Sequence, residues 1–193
     1  ILGGQEDAPE GYTTAIPGVQ YDAPLSIPGG AVIVPVREGY TFDGYWSAPN
    51  GGGKQYIDKE GNSVCALWDL DGENGSVTLY AKWVINQYSI TIDPIQKIPA
   101  GKEVIITVYV GNTPVVYTGE PILLDYKTAF YVVITMPAGF EIVAWNVDNF
   151  TANGNVFTSS NLVVGAENMT LSAQARPSAL RPMLRGHPWV ASA

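Results

Sequence analysis

Asp69, Asp71 and Glu73 stand at alternate positions in a stretch rich in Gly and Asn. An oxygen-rich turn of this kind is what a hard cation such as calcium favours. The run departs from a helix-loop-helix calcium loop at two places: Asn74 stands where the sharp turn needs glycine, and Tyr80 where the bidentate glutamate belongs. The preferred reading is a solvated acidic turn, with these three carboxylates as the candidate metal loop should one exist. Tyr45, Trp46, Tyr56 and Trp145 form a second candidate set, because flat aromatic faces stack on sugar rings; the competing expectation is that most of them are core. Tyr45 and Trp46 are adjacent on one strand, so they point to opposite faces and only one of them is expected at the surface.

Nucleophilic catalysis finds little to work with. The single histidine, His187, lies near the C-terminus, a poor place for a preorganised base. The single cysteine, Cys65, permits no intrachain disulfide and is read as buried and inert. The glycines of residues 49–54 lack the Ser/Thr and following helix of a phosphate-binding loop. Lys82 falls on the strand face opposite Leu79 and is read as exposed, which disfavours an intramolecular amide crosslink. No enzyme, catalytic residue or cofactor is expected.

The elements that would position these groups are strands. Hydrophobic residues make up 46% of the 193 and charged residues 15%, where about a quarter is usual. With 21 Gly, 14 Pro and 11 Tyr, this is neither a disordered chain nor a coiled coil, and no apolar run is long enough to span a bilayer as a helix. Residues 1–175 carry seven basic against eighteen acidic residues, a net charge of −11, which repels phosphate backbones and argues against a nucleic-acid partner. Strand patterns are read at 31–36, 77–83, 88–92, 104–110, 115–118, 130–135, 141–147 and 168–175, separated by Gly/Asn turns. In residues 77–83, Val77, Leu79, Ala81 and Trp83 share one face, so Trp83 is expected to be largely buried.

The chain also echoes itself. Gly39-Tyr40-Thr41-Phe42-Asp43-Gly44-Tyr45-Trp46 aligns with Gly139-Phe140-Glu141-Ile142-Val143-Ala144-Trp145-Asn146. Downstream, Val77-Thr78-Leu79-Tyr80-Ala81-Lys82-Trp83 aligns with Met169-Thr170-Leu171-Ser172-Ala173-Gln174-Ala175. Two copies of a motif pair imply two related modules in tandem. The expected organisation is a mostly β chain of two small β-sheet modules with little or no helix. The modules are residues 1–84 and 85–176, joined near 84–87. Residues 177–193 form a tail, a linker or a cloning remnant.

Residues 31–83 resemble the Listeria–Bacteroides repeat, also called the internalin B-repeat. The resemblance is carried by Val36-Arg37-Glu38-Gly39-Tyr40-Thr41-Phe42-Asp43-Gly44-Tyr45-Trp46, by Gly52-Gly53-Lys54-Gln55-Tyr56, by Asp58-Lys59-Glu60-Gly61-Asn62-Ser63 and by Thr78-Leu79-Tyr80-Ala81-Lys82-Trp83. Gly3-Gly4 looks like the glycine pair after that family's first strand, and residues 128–175 look like a divergent copy. The resemblance implies a β-grasp-like first module. It also implies a non-enzymatic spacer or adhesive unit of a larger bacterial protein, extracellular or at the cell surface, with a protein or glycan partner. The alternative expectation is a carbohydrate-binding accessory module of a secreted glycan-degrading enzyme. Leu180, Met183, Leu184, Trp189 and Val190 make the tail apolar enough to dock on a neighbouring subunit or on a module surface, giving self-association as one expectation and an unstructured remnant as the other.

Overall fold

The computed structural model describes residues 2–3, 13–72 and 75–178. Ile1, Gly4, Glu73 and the tail with Leu180, Met183, Leu184, Trp189 and Val190 lie outside the described residues. Among the described residues the regular structure is nearly all β, with a 3-10 turn at Pro49–Gly51. It divides into two units. One holds residues 1–88 with 123–127 and 164–168; the other holds 89–122, 128–163 and 169–193.

The first unit contains β1 (Leu2–Gly3), β2 (Tyr40–Ala48), β3 (Gly52–Ile57) and β4 (Leu79–Ile85), in the sheet order β1-β4-β2-β3. β4 is the closing strand: it runs antiparallel to β2 and parallel to β1, with Leu2 opposite Leu79. Between Phe42 and Tyr45, β2 carries one more residue than β4 carries between Trp83 and Ala81. This bulge overrides the period-two rule. Phe42 and Tyr45 are three positions apart and belong on opposite faces of a regular strand, yet both are buried, at 5% and 0% exposed. Gly44 makes the bulge feasible: its φ is +99°, and a Cβ there would sit 2.2 Å from the Ile57 carbonyl oxygen.

Around this pair the core gathers Leu25, Ile27, Val32, Tyr56, Ile57, Trp68 and Leu79. Several of these come from two long excursions, 13–39 and 58–78, which hold no strand among their described residues and which backbone hydrogen bonds tie together. Asp22 N–H donates to Trp68 O (2.8 Å), Trp68 N–H to Ala23 O (2.7 Å) and Val32 N–H to Gly61 O (2.9 Å). The expected strand at 31–36 is absent. Val32 N–H and Ile33 N–H go to loop partners, Gly61 O and Thr13 Oγ1, and Pro35 has no N–H to give to a ladder. Trp83 shares the Leu79 face as expected but is half-buried, set edge-on to Phe42 at 5.6 Å between centroids near the end of the sheet.

The later strands are β5 (Gln87–Ile92), β6 (Ile105–Val110), β7 (Thr113–Val116), β8 (Ile122–Asp125), β9 (Ala129–Thr135), β10 (Phe140–Trp145), β11 (Phe150–Asn153), β12 (Val156–Ser159), β13 (Leu162–Val163), β14 (Met169–Leu171) and β15 (Ala173–Pro177). Gln87 and Asp125 belong to the first unit, where Gln87 Nε2 donates to Asp125 Oδ1 at 2.9 Å. In the second unit the closing strand is β14 continued by β15. The single strand expected at 168–175 breaks at Ser172, whose N–H and C=O both bond to Asn146.

The second unit pairs its strands as the first does. β5 runs parallel to β14 with Ile92 opposite Leu171, as Leu2 stands opposite Leu79. β10 runs antiparallel to β15 with Ile142 opposite Ala175 and Trp145 opposite Ala173, as Phe42 stands opposite Trp83 and Tyr45 opposite Ala81. The same extra residue falls in the same place, and Ile142 and Trp145 are likewise buried, at 5% and 8% exposed. β8 pairs with β5, while β6, β7, β9, β11, β12 and β13 form a six-stranded sheet in the order β11-β12-β9-β6-β7, with β13 also on β9. Val108, Phe130, Val132, Ile134 and Phe157 line its buried face. That sheet occupies the sequence intervals where the first unit has its two long excursions.

Gly44→Ala forces a side chain into positive φ and against a carbonyl, so it should cost at least about 2 kcal/mol. Gly111→Ala, where nothing lies within 4 Å of the added Cβ, should cost about 1 kcal/mol. Trp83→Ala should cost about 1–3 kcal/mol, less than a fully buried Trp, because part of its surface already meets solvent. Urea melts with unchanged m-value check all three; a Gly44→Ala loss no larger than that of Gly111→Ala would reject the account of the bulge.

Candidate functional site

The densest polar cluster lies where β3 meets the 58–78 excursion. Tyr56, fully buried on β3, donates its hydroxyl to Asp69 Oδ1. Lys54, two residues earlier on the same strand, donates Nζ to Asp69 Oδ2 at 2.9 Å and lies 5.1 Å from the Tyr56 ring centroid. The period-two strand would put Lys54 and Tyr56 on one face, and Asp69 caps that face from the loop. Tyr56 also meets Trp68 edge-on at 5.0 Å, and the Trp68 indole N–H donates to Leu70 O at 2.7 Å. Strand and loop are therefore held together by one carboxylate with both oxygens engaged.

The electrostatics follow from that geometry. The Tyr56 hydroxyl and then the Lys54 ammonium hold the Asp69 carboxyl below the usual carboxylate range. Burial and the Asp69 carboxylate push the Tyr56 phenol well above its ordinary value. Lys54 is raised by the same carboxylate. Each shift favours the ionised Asp69 with a neutral Tyr56 and a charged Lys54, an arrangement that holds protons in place rather than passing them on.

The three carboxylates of the candidate metal loop are thus not brought together as ligands. Asp69 is engaged by Tyr56 and Lys54, Asp71 is exposed, and Glu73 lies outside the described residues. Among the described residues no three His, Cys, Asp or Glu side chains cluster for a metal ion. Asp71 lines a cavity of about 330 Å³ with Ile16, Val19, Leu25, Trp68 and Leu70. Its described lining holds no histidine, cysteine or second carboxylate, so it assembles no acid–base pair. Cys65 is 6% exposed, and its thiol donates to Leu67 O at 2.7 Å. His187 lies outside the described residues.

The aromatic candidates separate. Tyr45 is fully buried and Trp145 is 8% exposed, so neither offers a face to a sugar, because the bulge turns both inward. The buried Trp145 indole N–H has no hydrogen-bond partner among the described residues. Trp46 is the half-buried one, on the outer face of β2. Its indole N–H donates to Asp43 O at 3.3 Å, and Lys82 Nζ lies 5.0 Å from its ring centroid. Lys82 is correspondingly less exposed than its strand position alone implied: its side chain is 33% exposed and bridges to Asp43 at 2.8 Å. Sequence reasoning missed the Lys54–Tyr56–Asp69 cluster, since nothing local ties Asp69 to a strand 13 residues earlier. Among the described residues no helix is long and apolar enough to cross a membrane.

Comparison with protein-family models, with curated proteins and with solved structures yields no match.

Because the folded pKa of Asp69 is depressed, its contribution to stability is full above the unfolded carboxylate pKa of about 3.9 and is lost as pH falls through the lower folded value. Tyr56→Phe removes the first cause of that depression. It should raise the Asp69 pKa, and the acid-unfolding midpoint should move to higher pH than in the parent chain. Carboxyl-carbon NMR titration reads the first effect and circular dichroism the second. An Asp69 that titrates at the ordinary value in the parent chain would reject the clamp.

Proposed function

We propose that the chain is a tandem of two related β modules serving as a non-catalytic spacer or adhesive segment of a larger bacterial surface or secreted protein. The observation that carries this is the shared pairing scheme. In both units the first strand lies parallel to the closing strand at one leucine, and the strand antiparallel to it (β2 or β10) bulges by one residue to bury an aromatic. Duplication of a frame that closes on itself is how a chain gains length without new chemistry. The resemblance of residues 31–83 to the Listeria–Bacteroides repeat points the same way, by analogy of family. The Lys54–Tyr56–Asp69 cluster also fits a structural role, since its polar atoms are spent on one another.

A spacer has to resist extension. Held by its two ends and stretched in a force-spectroscopy experiment, the chain should lengthen in discrete unfolding steps and recover them on relaxation. Smooth extension without steps would remove the spacer reading. Turnover of any member of a panel of glycosidic, ester and peptide substrates would remove the non-catalytic one.

A further inference from the structure

We propose that the outward face of the six-stranded sheet in the second unit binds an uncharged polysaccharide. The inference rests on the reading of the chain as an adhesive segment and names the surface and the partner's chemistry.

The face is defined by register. Tyr109 stands opposite Tyr131, Thr107 opposite Val133 and Val116, and Val133 opposite Thr158. These positions alternate with the buried Val108, Val132 and Phe157, so they share the other side of the sheet. Val116 is 63% exposed and Ile105, on the same face, 46%. The two tyrosines stack ring on ring, 4.8 Å between centroids with planes 1° apart. Neither hydroxyl has a hydrogen-bond partner among the described residues.

No residue of β6, β7, β9, β11, β12 or β13 is charged, although the chain carries a net charge of −8. The strands of the shared frame differ. Asp43 pairs with Lys82 across β2 and β4, and Glu141 with Arg176 across β10 and β15, each at 2.8 Å. The uncharged sheet is also the part of the second unit that the first lacks. An acidic chain that adds a sheet with no charge on it presents a surface that selects neither cations nor anions. Thr and Tyr hydroxyls interleaved with Val and Ile match a neutral sugar chain, whose rings have apolar C–H faces and hydroxyl edges.

Size separates this partner from a second copy of the protein. Five strands at about 4.8 Å, averaging about five residues at about 3.3 Å, give a face of roughly 400 Å². A stable protein interface needs about 800 Å² on each side. A few sugar residues need less.

Affinity electrophoresis of the full chain tests the proposal with soluble xylan, mixed-linkage glucan, hydroxyethyl cellulose, glycol chitin and starch, and with alginate and heparin as acidic controls. At least one neutral polysaccharide should retard the chain, and raising the salt should leave retardation unchanged. Val116→Lys and Thr151→Lys place a charge at exposed positions of the face without touching the core; each should weaken retardation at least ~10-fold, since the charge is desolvated without a partner. Trp46→Ala, in the first unit, should leave it unchanged. No retardation by any neutral polysaccharide overturns the proposal, as does retardation that survives both lysines or occurs with the acidic polymers alone. Self-association seen in sedimentation and abolished by Val116→Lys overturns it in favour of a second copy. Each of these failures leaves the stretching result, and with it the spacer reading, where it stood.

Discussion

One extra residue in a strand decides what each unit buries. A regular strand sends residues three apart to opposite faces, so Phe42 and Tyr45 would have to share their two rings between core and water. The bulge turns both inward, and Trp46 outward beside Lys82. In the second unit the same displacement buries Ile142 and Trp145. Units of this size with almost no helix cover their cores with aromatic side chains, so losing one ring to solvent would remove much of what holds the sheet together. The registers of β4 on β2 and of β15 on β10, and with them the position of Trp83, follow from where that residue is inserted.

The aligned motifs made the frame readable. Tyr45 with Ala81 and Trp145 with Ala173 are pairs in both alignment and structure. The nearly all-β character followed from alternation and Gly/Asn turns, and most strands fall near their expected places. The bulge itself was half legible. Gly44 marks it in the first unit, whereas Ala144 stands at the aligned position in the second and adopts no positive φ, so no residue type announces it there. Residues 31–36 read as a strand because they are β-branched, but strand propensity describes a side chain's fit to a pleated surface and does not supply a neighbour to pair with. The candidate site was the least legible part. Alternating carboxylates suggested a cation, and the cation that Asp69 receives is the ammonium of Lys54, brought in by the fold.

The shared frame and the added sheet divide the chemistry between them. In the frame, charges meet across strands as Asp43–Lys82 and Glu141–Arg176, and Lys54, Tyr56 and Asp69 close a loop onto an edge. In the added sheet, hydroxyls and aliphatic groups replace charge altogether. Charged side chains on the outer face of a sheet discourage unwanted pairing and cost little in water, so their absence from one sheet alone is a compositional choice that the frame does not require. Pro114 in β7 withholds a backbone donor at that sheet's edge, which leaves the face rather than the edge as its open surface.

The pairing of first strand with closing strand also sets an order of events during synthesis. Leu2 finds its partner only when Leu79 has left the ribosome, and Ile92 only when Leu171 has. Until then each unit holds an incomplete sheet with its aromatic residues made and its last strand missing. Local hairpins such as β6–β7 form early, while closure waits on contacts that span nearly the whole unit. The β1-β4-β2-β3 sheet has all its strands before β14 and β15 are made, so its closing strand can pair before a rival appears. Two similar frames in one chain are exposed to exchanging strands, and emergence in sequence is what keeps each closing strand with its own unit.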